Sequence, residues 1–514
     1  MLENFFKTAW RNILRYKVYS IINFVGLTCG LSLALLIFAY TRSELSYDQF
    51  HAKASRLYRF WYLVPNGLKL ADTPPPIAPL LKDYFPQVEE ATRLYRRNVS
   101  IQLPESSQSF EENDVYFTDS AFTKMFSLQF VSGDRIRALH DKYTVLINEE
   151  MAAKYFGNKN PIGESLLFSG KHLFKVVGVV KNFPENSHIR FNMLVPYDDM
   201  FELEDEKTEA VLRANLAQNF VISHSYTYVL LKDGASAQNI NDKMSDFLKK
   251  YANPRLLMGQ VFQLMPITDI HLKSTFQAEP TPTNSMSNIY VFVCSGILTL
   301  LIACINYINL STAQSLTRVK EIGIRKILGS MKYQLITQFL AESFLFCLIA
   351  LLLSYLAFDL MLPFLNVLTG KHLQFDQVTD STLMFTSIGL LFLITLLAGA
   401  YPAIFVTRFE SISALKGSGY KDQGGQWLRK SLVILQLAIS CLLVTGSILI
   451  VKQLNYLEDR PLGFQKENVI IIPLIASSVL PSSNSMRPAV LNALSSTAFS
   501  LFIFLNSVNP AATP

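Results

Sequence analysis

Hydrophobic positions along this chain fall into two regimes. Five apolar runs are long enough to cross a bilayer, which takes about 20 residues in a helix: 18–40, 289–310, 343–365, 383–406 and 432–451. From 41 to 288 the apolar residues come instead in short groups separated by turn signals, the pattern of a folded globular domain. Within it Phe174–Val180, Tyr226–Leu231 and Val261–Ile267 predict buried strands. Asn148–Phe156, ending at Gly157, predicts a short helix with a glycine stop. Ser236–Tyr251 predicts an amphipathic helix with Ile240, Met244, Phe247, Leu248 and Tyr251 on one face. Pro74-Pro75-Pro76 marks an irregular segment. The alternation of short strands and helices predicts an α+β domain of one or two lobes. The expected fold class is thus a polytopic α-helical membrane protein with a large extracytoplasmic α+β domain.

Two further segments have helical periodicity without being long enough to span. In residues 1–17, Leu2, Phe5, Phe6, Ala9, Trp10, Ile13 and Leu14 share one face, and Lys7, Arg11 and Arg15 take the other. That predicts a helix lying in the cytoplasmic interface before the chain turns into the membrane, with Trp10, Arg11 and Arg15 at the boundary. In 311–342, Leu316, Val319, Ile322, Ile327 and Leu328 recur at roughly helical spacing, while Arg318, Lys320, Glu321, Arg325 and Lys326 occupy the remaining faces. Gly329 is a natural stop for this helix.

Composition agrees with the pattern. Half of the 514 residues are hydrophobic, 17% are charged, and the mean hydropathy is +0.25. The net charge of +6 is modest, and no aromatic-basic pattern of a nucleic-acid binder accompanies it. Topology accounts for the basic residues. Lys7, Arg11, Arg15 and Lys17 precede the first span, Arg318 to Lys332 lie between the second and third, and the linker 407–431 carries Arg408, Lys416, Lys421, Arg429 and Lys430. The loop 366–382 holds Lys371 against Asp376 and Asp380. By the positive-inside rule the N-terminus is cytoplasmic, and 41–288 and the chain after 452 lie outside. The first span reads as an uncleaved anchor, because its apolar run is long and no small-x-small site follows.

Candidate chemistry is sparse. Cys29, Cys294, Cys304, Cys347 and Cys441 all fall in apolar runs and form no CxxC pair, so they read as small buried hydrophobes. The histidines follow no metal-ligand spacing, and neither a GxSxG elbow nor a GxxxxGK[ST] phosphate loop occurs. Glu111-Glu112 and Glu202–Glu206 read as charge runs on a solvated face. A ligand role for His188 is a minor alternative to a simple polar turn. Glu342, at the edge of the third span, is costly there unless it pairs with a basic residue of the preceding segment or reaches interfacial water. The chain is expected to do no chemistry and to hold no catalytic, cofactor or metal site.

Arg318–Gly329 resembles the coupling-helix motif of permeases of the MacB/FtsX type, the membrane subunits of mechanotransmission ABC transporters. The likeness continues at Phe339-Leu340-Ala341-Glu342-Ser343, Ala400-Tyr401-Pro402-Ala403 and Leu415-Lys416-Gly417. Ala9-Trp10-Arg11-Asn12 and Asn23-Phe24 with Gly26-Leu27 are similar to the start of such permeases, particularly a large two-half subgroup. Lys154-Tyr155-Phe156-Gly157, Pro161-Ile162-Gly163 and Val177-Gly178-Val179 resemble the family's periplasmic core domain.

The resemblance implies one span, a periplasmic domain, then three spans. The fifth span, and 452–514 after it, would begin a second such unit. The tail from Ile475 departs from the pattern, having one charged residue, Arg487. A frameshifted or truncated second half is expected there. The resemblance also implies a multi-pass protein of the bacterial inner membrane whose docking residues for a separate cytoplasmic ATPase are Arg318, Lys320, Glu321, Ile322, Gly323, Ile324, Arg325, Lys326 and Gly329. That ATPase, not this chain, would bind ATP. Export of a hydrophobic compound, peptide or lipoprotein is the expected role. Transmission of a signal to a periplasmic hydrolase, or peptide sensing beside a kinase, is the alternative. Expected partners are the bilayer, the ATPase, a periplasmic adaptor or hydrolase, and a second copy or second half.

Overall fold

The computed structural model describes residues 11, 15, 17–135, 137–253, 259–373, 381–407 and 423–460. The tail beyond 460, the segment 408–422 and most of the first sixteen residues lie outside this set, and with them the tail after Ile475 and most of the interfacial helix, Trp10 included. Arg11 and Arg15 are helical and exposed.

The first apolar run forms α1 (Lys17–Leu45), which leads into the large domain. That domain is built on one mixed sheet of eleven strands: β1 (Leu57–Leu63), β2 (Lys69–Leu70), β3 (Val88–Gln102), β4 (Ser109–Thr118), β5 (Phe130–Gly133), β6 (Thr144–Asn148), β7 (Ser165–Phe168), β8 (His172–Val180), β9 (Met193–Pro196), β10 (Tyr226–Leu231) and β11 (Val261–Pro266). The order is β11-β1-β10-β3-β4-β9-β6-β8-β5, with β2 on β1 and β7 bridging β3 and β8. β4/β9 and β6/β8 run parallel, and the other pairings are antiparallel.

Helices pack on this sheet where sequence provides an apolar stripe and a cap. They include α2 (Ile77–Tyr84), α3 (Glu149–Phe156), α4 (Ala237–Tyr251) and α5 (Ile267–Lys273). Asn148 caps α3 by accepting from Met151 N, and Ser236 caps α4 by accepting from Gln238 N. Ile240, Met244, Phe247 and Leu248 of α4 are buried against β1, β10 and β11 residues such as Phe60, Val229 and Phe262. The apolar run at 261–267 changes element at Ile267, which opens α5 instead of ending the strand.

After the domain come α6 (Met286–Thr317), α7 (Val319–Ile327), α8 (Lys332–Thr369), α9 (Ser381–Thr407) and α10 (Gln423–Glu458). Among the described residues five helices, α1, α6, α8, α9 and α10, are long and apolar enough to cross a membrane. Helices α1 and α6 run antiparallel in a close register. A Cβ on Gly30 would come within 2.6 Å of Ala303 Cβ, one on Gly26 within 3.3 Å of Asn306 Nδ2, and one on Gly296 within 3.1 Å of Ile37 Cδ1. Small residues at such contacts let helix backbones approach where no hydrophobic force separates helix from lipid. Leu27, Leu31, Ala303, Cys304, Cys347, Ala350 and Ile394 join α1, α6, α8 and α9 in one apolar cluster. In contrast, α10 buries little more than Ile439.

Candidate functional site

Helix α7 is short, so its stability comes from its ends and its neighbours. Arg318, just before it, donates from Nη1 to Glu342 Oε2 on α8 at 2.9 Å, with both side chains largely buried. At the other end Gly329 takes a positive φ of 94°. Gly329 N–H then bonds Lys326 O at 3.1 Å, and Ser330 N–H bonds Arg325 O at 3.0 Å. Residues with a Cβ rarely adopt this conformation, which is why a glycine closes the helix.

The two faces of α7 differ in what they meet. Ile322 is buried with Leu335, Phe339 and Ala403, locking the helix onto α8 and α9. Ile324, about 200° round the helix from Ile322 at 100° per residue, is exposed together with Ile327 and Leu328, and Leu328 is 80% exposed. Met331 and Tyr333 extend this apolar surface onto the start of α8.

The basic residues are arranged less freely than their sequence suggests. Arg325 donates to Gln338 Oε1 at 3.0 Å and to Glu321 Oε1 at 2.5 Å. Lys326 is partly buried, and burial, with Lys332 beside it, holds its pKa below the usual lysine range. Gly323 is buried, and Lys320 lies in α7 with its side chain outside the described residues. The structure thus brings Arg318, Glu321, Ile322, Arg325 and Glu342 together around the base of α8. It sets Ile324, Ile327 and Leu328 outward.

A second constellation lies where the domain meets the spanning helices. Glu44, in the last turn of α1, is 2% exposed in its side chain. Its Oε2 accepts from His271 Nε2 at 2.9 Å and from Asn284 Nδ2 at 2.6 Å. His271 lies in the last turn of α5 and stacks on Tyr47, the ring centroids being 3.4 Å apart. Asn284 precedes α6. One carboxylate therefore binds the exit of α1 to the return into α6.

Above it, Asp48 is fully buried. Its Oδ2 lies 2.8 Å from His188 Nδ1, its Oδ1 accepts from Ser187 Oγ and His188 N, and His188 Nε2 lies 2.9 Å from Tyr228 OH. His51 sits 4.0 Å from Asp48, with Nδ1 accepting from Ser127 N at 3.2 Å. Burial pushes His51 down to about 4, Asp48 opposing and His188 adding to the shift. Such a network anchors the loop after α1 into the sheet. Among the described residues no group of three or more His, Cys, Asp or Glu side chains is arranged to hold a metal.

Two sequence readings are corrected here. Glu112 is not on a solvated face: it is 3% exposed and accepts from Lys154 Nζ and Tyr155 OH, each at 2.5 Å. Glu202 is likewise largely covered and paired with Lys142 at 2.5 Å. Lone carboxylates in sequence gave no sign that Lys154 and Tyr155 lay opposite on α3. The junction residues Glu44, Asp48, His271 and Asn284 were missed for the same reason.

Comparison with known proteins gives a coherent picture. A family model described as MacB-like periplasmic core domain matches residues 20–247, and one described as FtsX-like permease C-terminal matches 293–411. Together they cover about two thirds of the chain. A curated relative, the macrolide export ATP-binding/permease protein MacB of Bdellovibrio bacteriovorus, is 26% identical over 272 residues, which is 53% of this chain and 38% of the relative. A "probable export ATP-binding/permease protein" of Pseudomonas fluorescens is 22% identical over 437 residues, 81% of this chain and 60% of the relative. The chain thus spans less than two thirds of the length of these relatives. Among solved structures, a permease domain from Porphyromonas gingivalis matches at 22% identity and a TM-score of 0.36, covering 42% of this chain and 91% of that one. The periplasmic region of MacB from Actinobacillus actinomycetemcomitans matches at 15% identity and a TM-score of 0.31, covering 42% and 91%.

Proposed function

Because this chain belongs to the MacB/FtsX-like ABC permease family, we propose that it is a permease subunit driven by a separate cytoplasmic ATPase. In this reading it sits in the bacterial inner membrane with its N-terminus and α7 in the cytoplasm. ATP-dependent closure of the partner moves α7, the spanning helices carry the movement, and the large domain responds in the periplasm. Export of a hydrophobic compound, peptide or lipoprotein is the outcome that fits the names of the relatives. In this reading the partner binds ATP; residues 1–514 contain no GxxxxGK[ST] phosphate loop.

The observation that carries this reading is the outer face of α7. Ile324, Ile327, Leu328, Met331 and Tyr333, close in sequence, are all exposed apolar side chains at the end of the helical bundle remote from the domain, beyond the apolar stretches of α6 and α8. Patches of this kind on a rigid support mark a protein interface. Arg318 and Ile322 hold the helix firmly, so force applied to the outer face reaches α8.

The test is the stimulation of the partner ATPase by the permease in a reconstituted membrane. Leu328→Glu should abolish stimulation and leave the thermal unfolding of the permease unchanged. Charge reversal at both Arg325 and Lys326 should also abolish it. Full stimulation by Leu328→Glu would overturn the docking assignment.

A further inference from the structure

Helix α8 joins the two constellations. Its 38 residues span about 57 Å at 1.5 Å per residue. One end begins three residues after Gly329. The far end closes at Gly370, whose left-handed conformation (φ 64°) lets its N–H bond Asn366 O. Asn366 then clamps the next turn: its Nδ2 donates to Leu373 O at 2.9 Å, and its Oδ1 accepts from Leu373 N at 3.0 Å. Lys371, inside this clamp, is fixed to the end of the rod.

Lys371 is itself buried, 9% exposed. Its ammonium pairs with Glu44 Oε1 and lies 3.2 Å from Ser43 Oγ, with the rings of Tyr40 and Tyr47 each 5.2 Å away. Glu44 at the same time holds His271 and Asn284 through its other oxygen. The next residue, His372, donates its backbone N–H to Glu185 of the domain at 2.8 Å. Beside this contact is a cavity of about 560 Å³ lined in part by Arg42, Ser46, Phe183, Glu185 and His372.

We infer that Lys371, acting through Glu44, is the positioning residue that hands the movement of α8 to both necks of the large domain at once. The inference rests on the docking reading of α7. A charged contact suits the task better than an apolar one. Separating a buried pair strands a charge in a low-dielectric site, so the partners travel together over small displacements instead of sliding. Apolar contacts between α8 and α1 tolerate such sliding. The adjoining cavity leaves the loop room to shift.

The experiment uses the full chain in lipid nanodiscs with its ATPase subunit, native cysteines replaced by serine. Spin labels are placed at Lys243 on α4 and Leu356 on α8, both exposed. The label-to-label distance is measured with and without a non-hydrolysable ATP analogue. The distance should stay fixed in the wild type, because α8 and the domain travel together. Lys371→Met and Glu44→Gln should retain ATPase binding and stimulation but show a nucleotide-dependent change in distance, and Lys371→Arg should keep it fixed. A distance that stays fixed in Lys371→Met overturns the inference and leaves the docking of α7 standing. Joint loss of ATPase stimulation and thermal stability in Lys371→Met assigns the pair to folding alone and also overturns it. If the wild-type chain neither binds nor stimulates the ATPase, the docking reading fails first and this inference with it.

Discussion

Arg59 on β1 gives both terminal guanidinium nitrogens to Glu279, at 2.5 and 2.6 Å, with Arg59 fully buried. Burial opposes the charge of Arg59, and the hydrogen bonds and charge of Glu279 outweigh it, so the guanidinium is held above its usual range. Ser274 donates to the same carboxylate, and the ring of Phe276 lies 5.6 Å from the guanidinium. Glu279 belongs to the segment between α5 and α6, so this pair pins the return path to the sheet.

Removing one partner should cost far more than removing both. Glu279→Ala leaves a buried, uncompensated cation and should destabilise the domain by roughly 3–5 kcal/mol. The double variant Arg59→Met with Glu279→Leu should recover much of that loss. Thermal unfolding of the detergent-solubilised chain reads both, and a single variant no less stable than the double one would contradict the assignment.

The contact between Arg318 and Glu342 makes a separate prediction toward the start of α8. Glu342→Gln should release the start of α7 at a cost of about 1.5–3 kcal/mol, the range for a hydrogen bond to a charged group. Local opening should then expose the chain, and trypsin should cut at Arg325 and Lys326 several-fold faster than in the wild type. The swap of Arg318→Glu with Glu342→Arg should return the rate toward normal.

His51 should make stability depend on pH. Its folded pKa lies below its unfolded value, so below pH 6.5 the unfolded chain takes up a proton that the folded chain refuses until about pH 4. Stability should be level above pH 7, fall between 6.5 and 4, and level off again. The full effect is about 3 kcal/mol at 1.4 kcal/mol per pKa unit. Asp48 and His188 are the ionisable groups that face it. His51→Gln should remove this part of the slope in urea titrations run from pH 7.5 to 4, and an unchanged slope would assign the dependence elsewhere.

The antiparallel register of α1 and α6 can be tested by a covalent bond. A Cβ on Gly296 would stand 3.6 Å from Ile37 Cβ, within the roughly 3.5–4.5 Å that a disulfide needs. Ile37→Cys with Gly296→Cys, the native cysteines removed, should oxidise readily in membranes. Gly30→Leu in that background should lower the yield, because the new side chain meets Ala303 and forces the helices apart.

Much of this architecture can be read from residues taken locally. The spans are visible because a bilayer demands about 20 apolar residues in a row; α4 is visible because its burial follows the helical period, and β10 because it is a short, continuously apolar run buried on both faces. Hydropathy does not report how far helices continue into water, so α8 begins at Lys332, well before the apolar run at Ser343. The long hairpin of β3 and β4 is hidden by its charges, which the fold satisfies in pairs such as Arg93–Asp119 and Arg96–Asp114. At the domain junction the difficulty is distance along the chain. Glu44 finds His271 and Asn284 across 227 and 240 positions, and nothing local to any of the three announces the others. The segment 318–329 falls between these cases. Its helix and glycine stop follow from spacing, whereas the division into an inner Ile322 face and an outer Leu328 face needs the packing of α8 and α9.

Length alone gives α8 a mechanical advantage. The part of α8 ahead of Pro363, about 46 Å long, swings its far end by roughly 5 Å when it pivots near Lys332 through about 6°. That is close to the spacing of neighbouring strands in a sheet, about 4.8 Å. Ala350, about halfway along α8 in the apolar cluster with Ile394, would move only about half as far, so the step is largest where α8 approaches the domain.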